Sequence, residues 1–151
     1  MSDNMKKVAI IGLGRVGIPL CLFMDNLGFS VIGIDKDESV INSLRKKKMP
    51  FFEKGCDELL SNADAQFMND IKFASTVDYI IITVGTPLRK NIETDLSGVF
   101  EVVNSLLNVL KKGHSIILRS TVAPETTVFI KKYIELKTNL IVGKDLALSF
   151  C

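Results

Sequence analysis

Short apolar runs alternate along the chain with segments whose apolar residues recur at helical spacing. Runs rich in Val and Ile, bounded by turn residues, predict strands buried on both faces of a parallel sheet. The predicted strands are residues 8–11, 30–35, 71–73, 78–84, 114–118 and 146–150, and the predicted helices are 18–24, 38–48, 56–62, 95–113 and 125–137. This alternation is typical of βαβ units. It predicts an α/β, Rossmann-like doubly wound fold, with a mainly parallel sheet and helices on both faces.

The length of 151 residues fits one domain with one core, which we place at residues 1–151. Lys and Arg number 19 and Asp and Glu 17, and the net charge of +2 argues against a general nucleic-acid binder. No apolar run reaches the roughly 18 residues of a membrane span. The first apolar run is broken by Gly12, too early for a signal-peptide core. We therefore expect a cytoplasmic protein with neither membrane nor nucleic acid as a partner.

Cysteine and histidine are too few and too scattered to predict a metal centre or a disulfide framework. The three cysteines, Cys21, Cys56 and Cys151, form no C-x-x-C pair, and His114 is the single histidine. We expect Cys21 to lie in the core and Cys56 to be a surface thiol that begins a short helix, where the helix dipole can lower a thiol's pKa. No metal is predicted. His114 precedes the fifth long apolar run and is interpreted as a bystander.

A glycine-rich loop, residues 12–17 (GLGRVG), joins the first predicted strand to the first predicted helix. Amide N–H groups at a helix N-terminus and the helix dipole favour a phosphate there. We expect Gly12 to make the tight turn, Gly14 to let the backbone approach a pyrophosphate, and Gly17 to let helix and strand pack closely. Asp35 ends the next strand, where a carboxylate can accept hydrogen bonds from an adenine ribose. The loop and Asp35 together predict a dinucleotide site that includes Leu13, Arg15 and Val16.

The same acid predicts which dinucleotide is bound. A carboxylate at Asp35 would repel a 2′-phosphate, which favours NAD over NADP. Lys36 is a complication because a neighbouring ammonium can receive that phosphate, and we give Asp35 the greater weight. In the alternative interpretation, the glycine turn only packs helix on strand and Asp35 caps the following helix.

Small polar residues follow two further predicted strands, 78–84 and 114–118. The ligand crevice of an open α/β sheet lies at these carboxyl ends of the strands. The hydroxyl groups among these polar residues can donate and accept hydrogen bonds beside a nicotinamide without adding charge. The alternative is that they are ordinary loop and cap residues. The candidate cofactor contacts are Gly85, Thr86, Pro87, Ser120 and Thr121.

A family resemblance is carried by several segments in combination. They are residues 10–20 (IIGLGRVGIPL), 33–35 (GID), 50–55 (PFFEKG), 84–87 (VGTP), 95–97 (DLS) and 120–124 (STVAP). Together they resemble the NAD-binding domain of the UDP-sugar 6-dehydrogenases, the UDP-glucose and UDP-N-acetyl-D-mannosamine dehydrogenase family. The resemblance covers essentially the whole chain. The threonine-proline and STVAP segments at this distance are much more selective than the glycine loop.

The resemblance implies an oxidoreductase that converts the C6 alcohol of a UDP-sugar to the uronate with two NAD, in nucleotide-sugar metabolism and polysaccharide biosynthesis. The implied substrate is UDP-N-acetyl-D-mannosamine or a related UDP-N-acetylhexosamine, and the family commonly forms homodimers or larger assemblies. Thr121 matches a threonine that helps hold the catalytic water, and Val16 matches a backbone contact to the pyrophosphate. The nucleophilic cysteine and its lysine partner lie in later segments of the family. Alternatives are a UDP-glucose 6-dehydrogenase and a non-catalytic NAD-binding regulatory module; a β-hydroxyacid dehydrogenase relative ranks lower.

Residues 145–151 resemble the strand that precedes a Pro-Glu-Arg motif in the N-acetylmannosamine branch. We therefore expect an N-terminal domain without the family's central and C-terminal substrate domains, and no sugar oxidation by this chain alone. Three positions depart from the family pattern. Leu88 replaces a second threonine, Glu125 replaces a glycine, and Cys56 replaces a leucine.

Overall fold

The computed structural model describes residues 5–87, 95–122 and 125–151. Its strands are β1 (Lys7–Ile11), β2 (Ser30–Ile34), β3 (Gln66–Met68), β4 (Tyr79–Ile82), β5 (Ser115–Leu118) and β6 (Ala147–Phe150). They form one six-stranded sheet in the order β3-β2-β1-β4-β5-β6. Every neighbouring pair is parallel, which confirms the predicted α/β, Rossmann-like fold.

Helices cover both faces of this sheet because the strand side chains alternate between them. The helices are α1 (Gly17–Asn26), α2 (Glu38–Arg45), α3 (Cys56–Asn62), α4 (Ser97–Leu106) and α5 (Thr126–Lys137). Val8 and Ile10 of β1 pack in a core with α1, α2 and α3. Ala9 and Ile11 pack in the opposite core with α4 and α5. In the described part of the chain, no helix combines the length and apolarity that a membrane crossing requires.

The predicted strand at residues 71–73 is wrong. Those residues begin a 3₁₀ helix, Ile71–Thr76, which starts where the Asp70 carboxylate accepts the N–H of Lys72 at 2.9 Å. The third strand lies before it, where Gln66 and Met68 of β3 pair with Ile32 and Ile34 of β2. The predicted helices 38–48 and 95–113 also end earlier than expected, at Arg45 and Leu106.

The strand order reverses between β1 and β4, the two central strands of the sheet. A crevice forms at such a reversal, because the connections that leave the two strands run to opposite sides. The glycine loop leaves the carboxyl end of β1, and Thr83 to Pro87 leave the carboxyl end of β4. The topology therefore places the predicted site at the centre of one edge of the sheet.

Candidate functional site

The glycine loop is a tight turn that the surrounding backbone determines. Gly12 has φ +99°, and a Cβ there would lie 2.8 Å from both Cγ1 and the backbone N of Val84. A Cβ on Gly17 would lie only 1.8 Å from the carbonyl oxygen of Gly12. By contrast, a Cβ on Gly14 would meet no atom of the described residues within 4 Å. The fold therefore requires glycine at positions 12 and 17, while Gly14 opens toward free space.

Thr83, which the sequence analysis did not single out, anchors this turn. Its side chain is buried, and its hydroxyl donates to the carbonyl oxygens of Gly12 at 2.7 Å and Ile11 at 3.1 Å. The sequence does hint at this role, because Thr83 is a polar residue that directly follows the four residues of the buried strand β4. The hydroxyl holds the glycine loop against β4, so Thr83 acts on the site through the backbone.

Asp35 lies at the carboxyl end of β2 and faces the glycine loop. Its Oδ2 accepts the N–H of Leu13 at 2.6 Å, and its Oδ1 accepts the N–H of Asp37 at 2.9 Å. Each carboxylate oxygen can accept a second hydrogen bond, which leaves capacity for ribose hydroxyl groups. This geometry joins the predicted ribose acid directly to the predicted phosphate loop.

The residue that caps the next helix is Asp37. Its Oδ1 accepts the N–H of Ser39 at 2.8 Å and that of Val40 at 3.4 Å. Hydrogen bonds from the side chain and backbone of Ser39 lower the pKa of Asp37 below its usual value. The alternative interpretation, in which Asp35 is only a helix cap, is wrong because Asp37 fills that role at the N-terminus of α2.

A cavity of about 820 Å³ opens at this edge of the sheet. The predicted contacts that line it are Gly12, Leu13, Gly14, Asp35, Lys36 and Gly85. Seven others do not line it: Arg15, Val16, Gly17, Thr86, Pro87, Ser120 and Thr121. The residues that line it and that the sequence analysis missed include Asn69, Ile71, Gly98, Glu101 and Ser105. The cavity therefore combines the loop after β1, the loop after β2 and one side of α4.

The predicted contacts outside the cavity have varied surroundings. The Arg15 guanidinium lies 5.1 Å from the ring centroid of Phe51, and Val16 is 52% exposed. The Ser120 side chain is buried, and its hydroxyl donates to the carbonyl oxygen of Val84 at 2.7 Å, which links the ends of β4 and β5. Thr121 is exposed beside it. Ser120 thus has a structural role, and Thr121 has the hydroxyl that is accessible to a ligand.

Comparison with known proteins decides the family. Residues 6–151 match the model of the UDP-glucose/GDP-mannose dehydrogenase family, NAD binding domain. The chain belongs to this family. Its cofactor is therefore NAD, as the sequence predicts, and its coarse function is that of the NAD-binding domain of nucleotide-sugar dehydrogenases.

Similar proteins agree with this assignment. The chain is 35% identical over 140 residues to UDP-N-acetyl-D-mannosamine dehydrogenase of Methanococcus vannielii, covering 89% of this chain and 33% of that protein. It is 32% identical over 137 residues to UDP-glucose 6-dehydrogenase of Rickettsia felis, covering 86% and 30%. The structure of UDP-N-acetyl-mannosamine dehydrogenase from Staphylococcus aureus superposes with a TM-score of 0.87 at 31% identity, covering 97% and 36%. The chain thus spans about a third of the length of these relatives.

One departure from the family pattern has a clear structural consequence. Glu125, which stands where the resemblance implies a glycine, is the residue before α5 and has φ +66°. This left-handed conformation is unfavourable for a residue with a Cβ. Glu125 therefore adopts, before the first turn of α5, a backbone conformation that favours glycine. Leu88, another of these departures, lies outside the described residues.

The two cysteines in the core, Cys21 and Cys56, are not activated nucleophiles. Cys21 is fully buried in α1, and burial raises the pKa of its thiol to about 12. The prediction of a surface thiol at Cys56 is wrong: its side chain is 4% exposed because the first turn of α3 packs inward, and burial raises its pKa. Cys151 is exposed at the end of the chain. Within the three described ranges, no group of three or more His, Cys, Asp or Glu side chains can hold a metal ion.

The described residues fit the cofactor that the family implies. The loop's open side at Gly14 leaves space for a pyrophosphate beside backbone N–H groups at the start of α1. Asp35 supplies a carboxylate at the adjacent strand end, and Ile34, Val40 and Ile71 give the cavity an apolar side. This combination of amide donors, a carboxylate and apolar surface suits a phosphate, a ribose and an adenine in sequence.

Proposed function

We propose that the chain binds NAD in the 820 Å³ cavity, with the pyrophosphate at the glycine loop and the adenine ribose on Asp35. The observation that carries this proposal is the 2.6 Å hydrogen bond from Leu13 N–H to Asp35 Oδ2. It holds Asp35 beside the phosphate loop before any ligand binds. Little conformational entropy is therefore lost when the ligand binds. The adenine then lies on the apolar side of the cavity.

The nicotinamide end of the cofactor would extend past Gly85 toward the ends of β4 and β5. Gly85 and Thr83 line the cavity there, and the exposed Thr121 lies at the end of β5. In this arrangement Thr86, Pro87 and Thr121 form the wall next to the nicotinamide. Thr121 supplies a neutral hydroxyl that can orient a water near the reacting carbon.

In a longer protein with the length of these relatives, this domain would serve the oxidation of the C6 alcohol of a UDP-sugar to a uronate. Bound NAD supplies a hydride acceptor, and two equivalents are needed for the four-electron change from alcohol to carboxylate. We favour UDP-N-acetyl-D-mannosamine as the substrate, because the Methanococcus relative and the Staphylococcus structure both carry that name. The Rickettsia relative supports UDP-glucose as the second candidate. The family resemblance puts the nucleophilic cysteine and its lysine partner in later segments, and Cys21 and Cys56 are buried, so we expect no sugar oxidation by this chain alone.

The binding proposal is tested by calorimetric titration of the chain with NAD and with NADP. We expect NAD to bind more tightly, since the Asp35 carboxylate would face a 2′-phosphate of like charge. Asp35→Asn should weaken NAD binding about tenfold, because charge-assisted hydrogen bonds to the ribose hydroxyls are lost. Asp57→Asn, an exposed acid on α3 outside the cavity, is the matched control and should leave binding unchanged.

Two results would contradict the proposal. One is equal or tighter binding of NADP by the unaltered chain. The other is an Asp35→Asn variant that binds NAD as well as the Asp57→Asn control does. The substrate is then decided with the longer protein, by following NADH formation with UDP-N-acetyl-D-mannosamine and with UDP-glucose in parallel. A protein that binds NAD but oxidises neither would support a regulatory module.

A further inference from the structure

The cavity wall carries an uneven set of charges. Among the described residues that line it, Asp35, Asp37, Asp70 and Glu101 are acidic and Lys36 is the one basic residue. Lys36 directly follows the acid that we assign to the adenine ribose. Of the residues that the structure describes in this wall, it is therefore the one whose charge can attract a phosphate on the ribose 2′ position.

Lys36 is already engaged by an acid from the other side of the cavity. Its Nζ lies 3.1 Å from Oε1 and 3.0 Å from Oε2 of Glu101, so both carboxylate oxygens contact one ammonium group. Glu101 lies in α4, whereas Lys36 follows β2, and the pair bridges two walls that are 65 residues apart in sequence.

This pair contributes little to folding. The side chains of Lys36 and Glu101 are 82% and 60% exposed, and exposed ion pairs add at most about 1 kcal/mol to stability. Its local effect on a ligand is different, because it offsets the charge of the Lys36 ammonium beside the ribose acid. A 2′-phosphate would have to compete with Glu101 for Lys36 while facing the Asp35 carboxylate.

We propose that Glu101 is a specificity-determining residue that excludes NADP by holding Lys36 in an ion pair. The inference rests on the proposed binding of the adenine ribose at Asp35. Asp35 supplies direct repulsion of a 2′-phosphate, and Glu101 removes the compensating attraction of Lys36. Selectivity for NAD thus depends on residues from both sides of the cavity.

The test measures dissociation constants for NAD and NADP by calorimetry, including displacement of NAD by NADP, with the chain and four variants. Glu101→Gln should tighten NADP binding relative to NAD binding about three- to tenfold, because Lys36 is freed for the phosphate. Adding Lys36→Gln to that variant should abolish the gain. Lys36→Gln alone should leave the NADP to NAD ratio near that of the unaltered chain. Glu58→Gln, on α3 and outside the cavity, controls for the loss of one negative charge.

Salt gives a second readout that a purely structural role would not change. The NADP gain of Glu101→Gln should shrink at high ionic strength, since Lys36 is exposed and its attraction is screened. An unchanged NADP to NAD ratio in Glu101→Gln, including NADP binding that stays undetectable, would overturn the inference. A gain that persists without Lys36 would also overturn it. If NAD binding is still weakened by Asp35→Asn, either result refutes the role of Glu101 and leaves the binding proposal intact. If NAD binding is unaffected by Asp35→Asn, the binding proposal itself is refuted.

Discussion

Gly17→Ala is the substitution that most directly tests the packing of the glycine loop. The added Cβ would lie 1.8 Å from the Gly12 carbonyl oxygen and 2.8 Å from Thr83 Oγ1, whereas Cβ contacts essentially never fall below 3.0 Å. The loop or α1 must therefore move by about 1.2 Å, which also weakens the hydrogen bond from Thr83 to Gly12. We expect a loss of roughly 2–4 kcal/mol in the free energy of unfolding, from overpacking and a weakened buried hydrogen bond.

Urea denaturation followed by circular dichroism measures this loss, with an expected decrease of about 1–2 M in the midpoint. Gly14→Ala is the matched control, because its Cβ would meet nothing within 4 Å. Its free energy of unfolding should stay within about 0.5 kcal/mol of the original. Gly14→Leu should also fold but lose NAD binding, since its side chain occupies the space assigned to the pyrophosphate. Equal midpoints for Gly17→Ala and Gly14→Ala would refute the reasoning, and NAD binding by Gly14→Leu would place the pyrophosphate elsewhere.

Three further substitutions test other parts of the site and core. Thr83→Val should cost about 1–3 kcal/mol in urea denaturation and weaken NAD binding, because the Gly12 carbonyl loses a buried donor; unchanged binding would show that the loop holds its shape without Thr83. Glu125→Gly should raise the midpoint by relieving the φ of +66°, a gain of about 0.5–1 kcal/mol, whereas Lys131→Gly inside α5 should lower it. Burial lowers the pKa of His114 from 6.5, so acid favours the unfolded chain. Stability should therefore fall as the pH drops below about 6.5, and His114→Gln should lack that dependence.

The main elements of the fold could be predicted because their signals are local. Residues 8–11 are all apolar, as expected for a central strand, and each has 3% exposure or less. The position of the third strand could not be predicted, and the reason is physical. β3 has only three residues, of which Phe67 is the one buried, so it shows no periodicity. Residues 71–73 alternate apolar and polar like a strand, yet the Asp70 carboxylate caps them into a helical turn.

The site also contains some residues that local sequence signals reveal and others that they do not. The glycine loop and Asp35 could be found from the sequence, because a strand, a turn and the end of the next strand are close along the chain. The contacts made by Thr83 and Lys36 could not, since the first joins residues 71 apart and the second residues 65 apart. Their partners depend on how α4 and β4 pack beside β1 and β2. The polar residues after β5 could not be assigned roles from the sequence. Ser120 and Thr121 are adjacent, yet the first is buried and the second is exposed.

The three glycines of the loop show how structure refines a motif. From the sequence we expect a tight turn at Gly12, close approach of a pyrophosphate at Gly14 and helix–strand packing at Gly17, and the fold itself requires glycine at only two of these positions. Gly12 needs its positive φ and its contact with Val84, and Gly17 needs its contact with the Gly12 carbonyl. No residue that the structure describes lies close enough to crowd a Cβ at Gly14. A side chain at Gly14 would be excluded only by a molecule that occupies the open side of the loop, so Gly14 is the glycine that reports on the ligand.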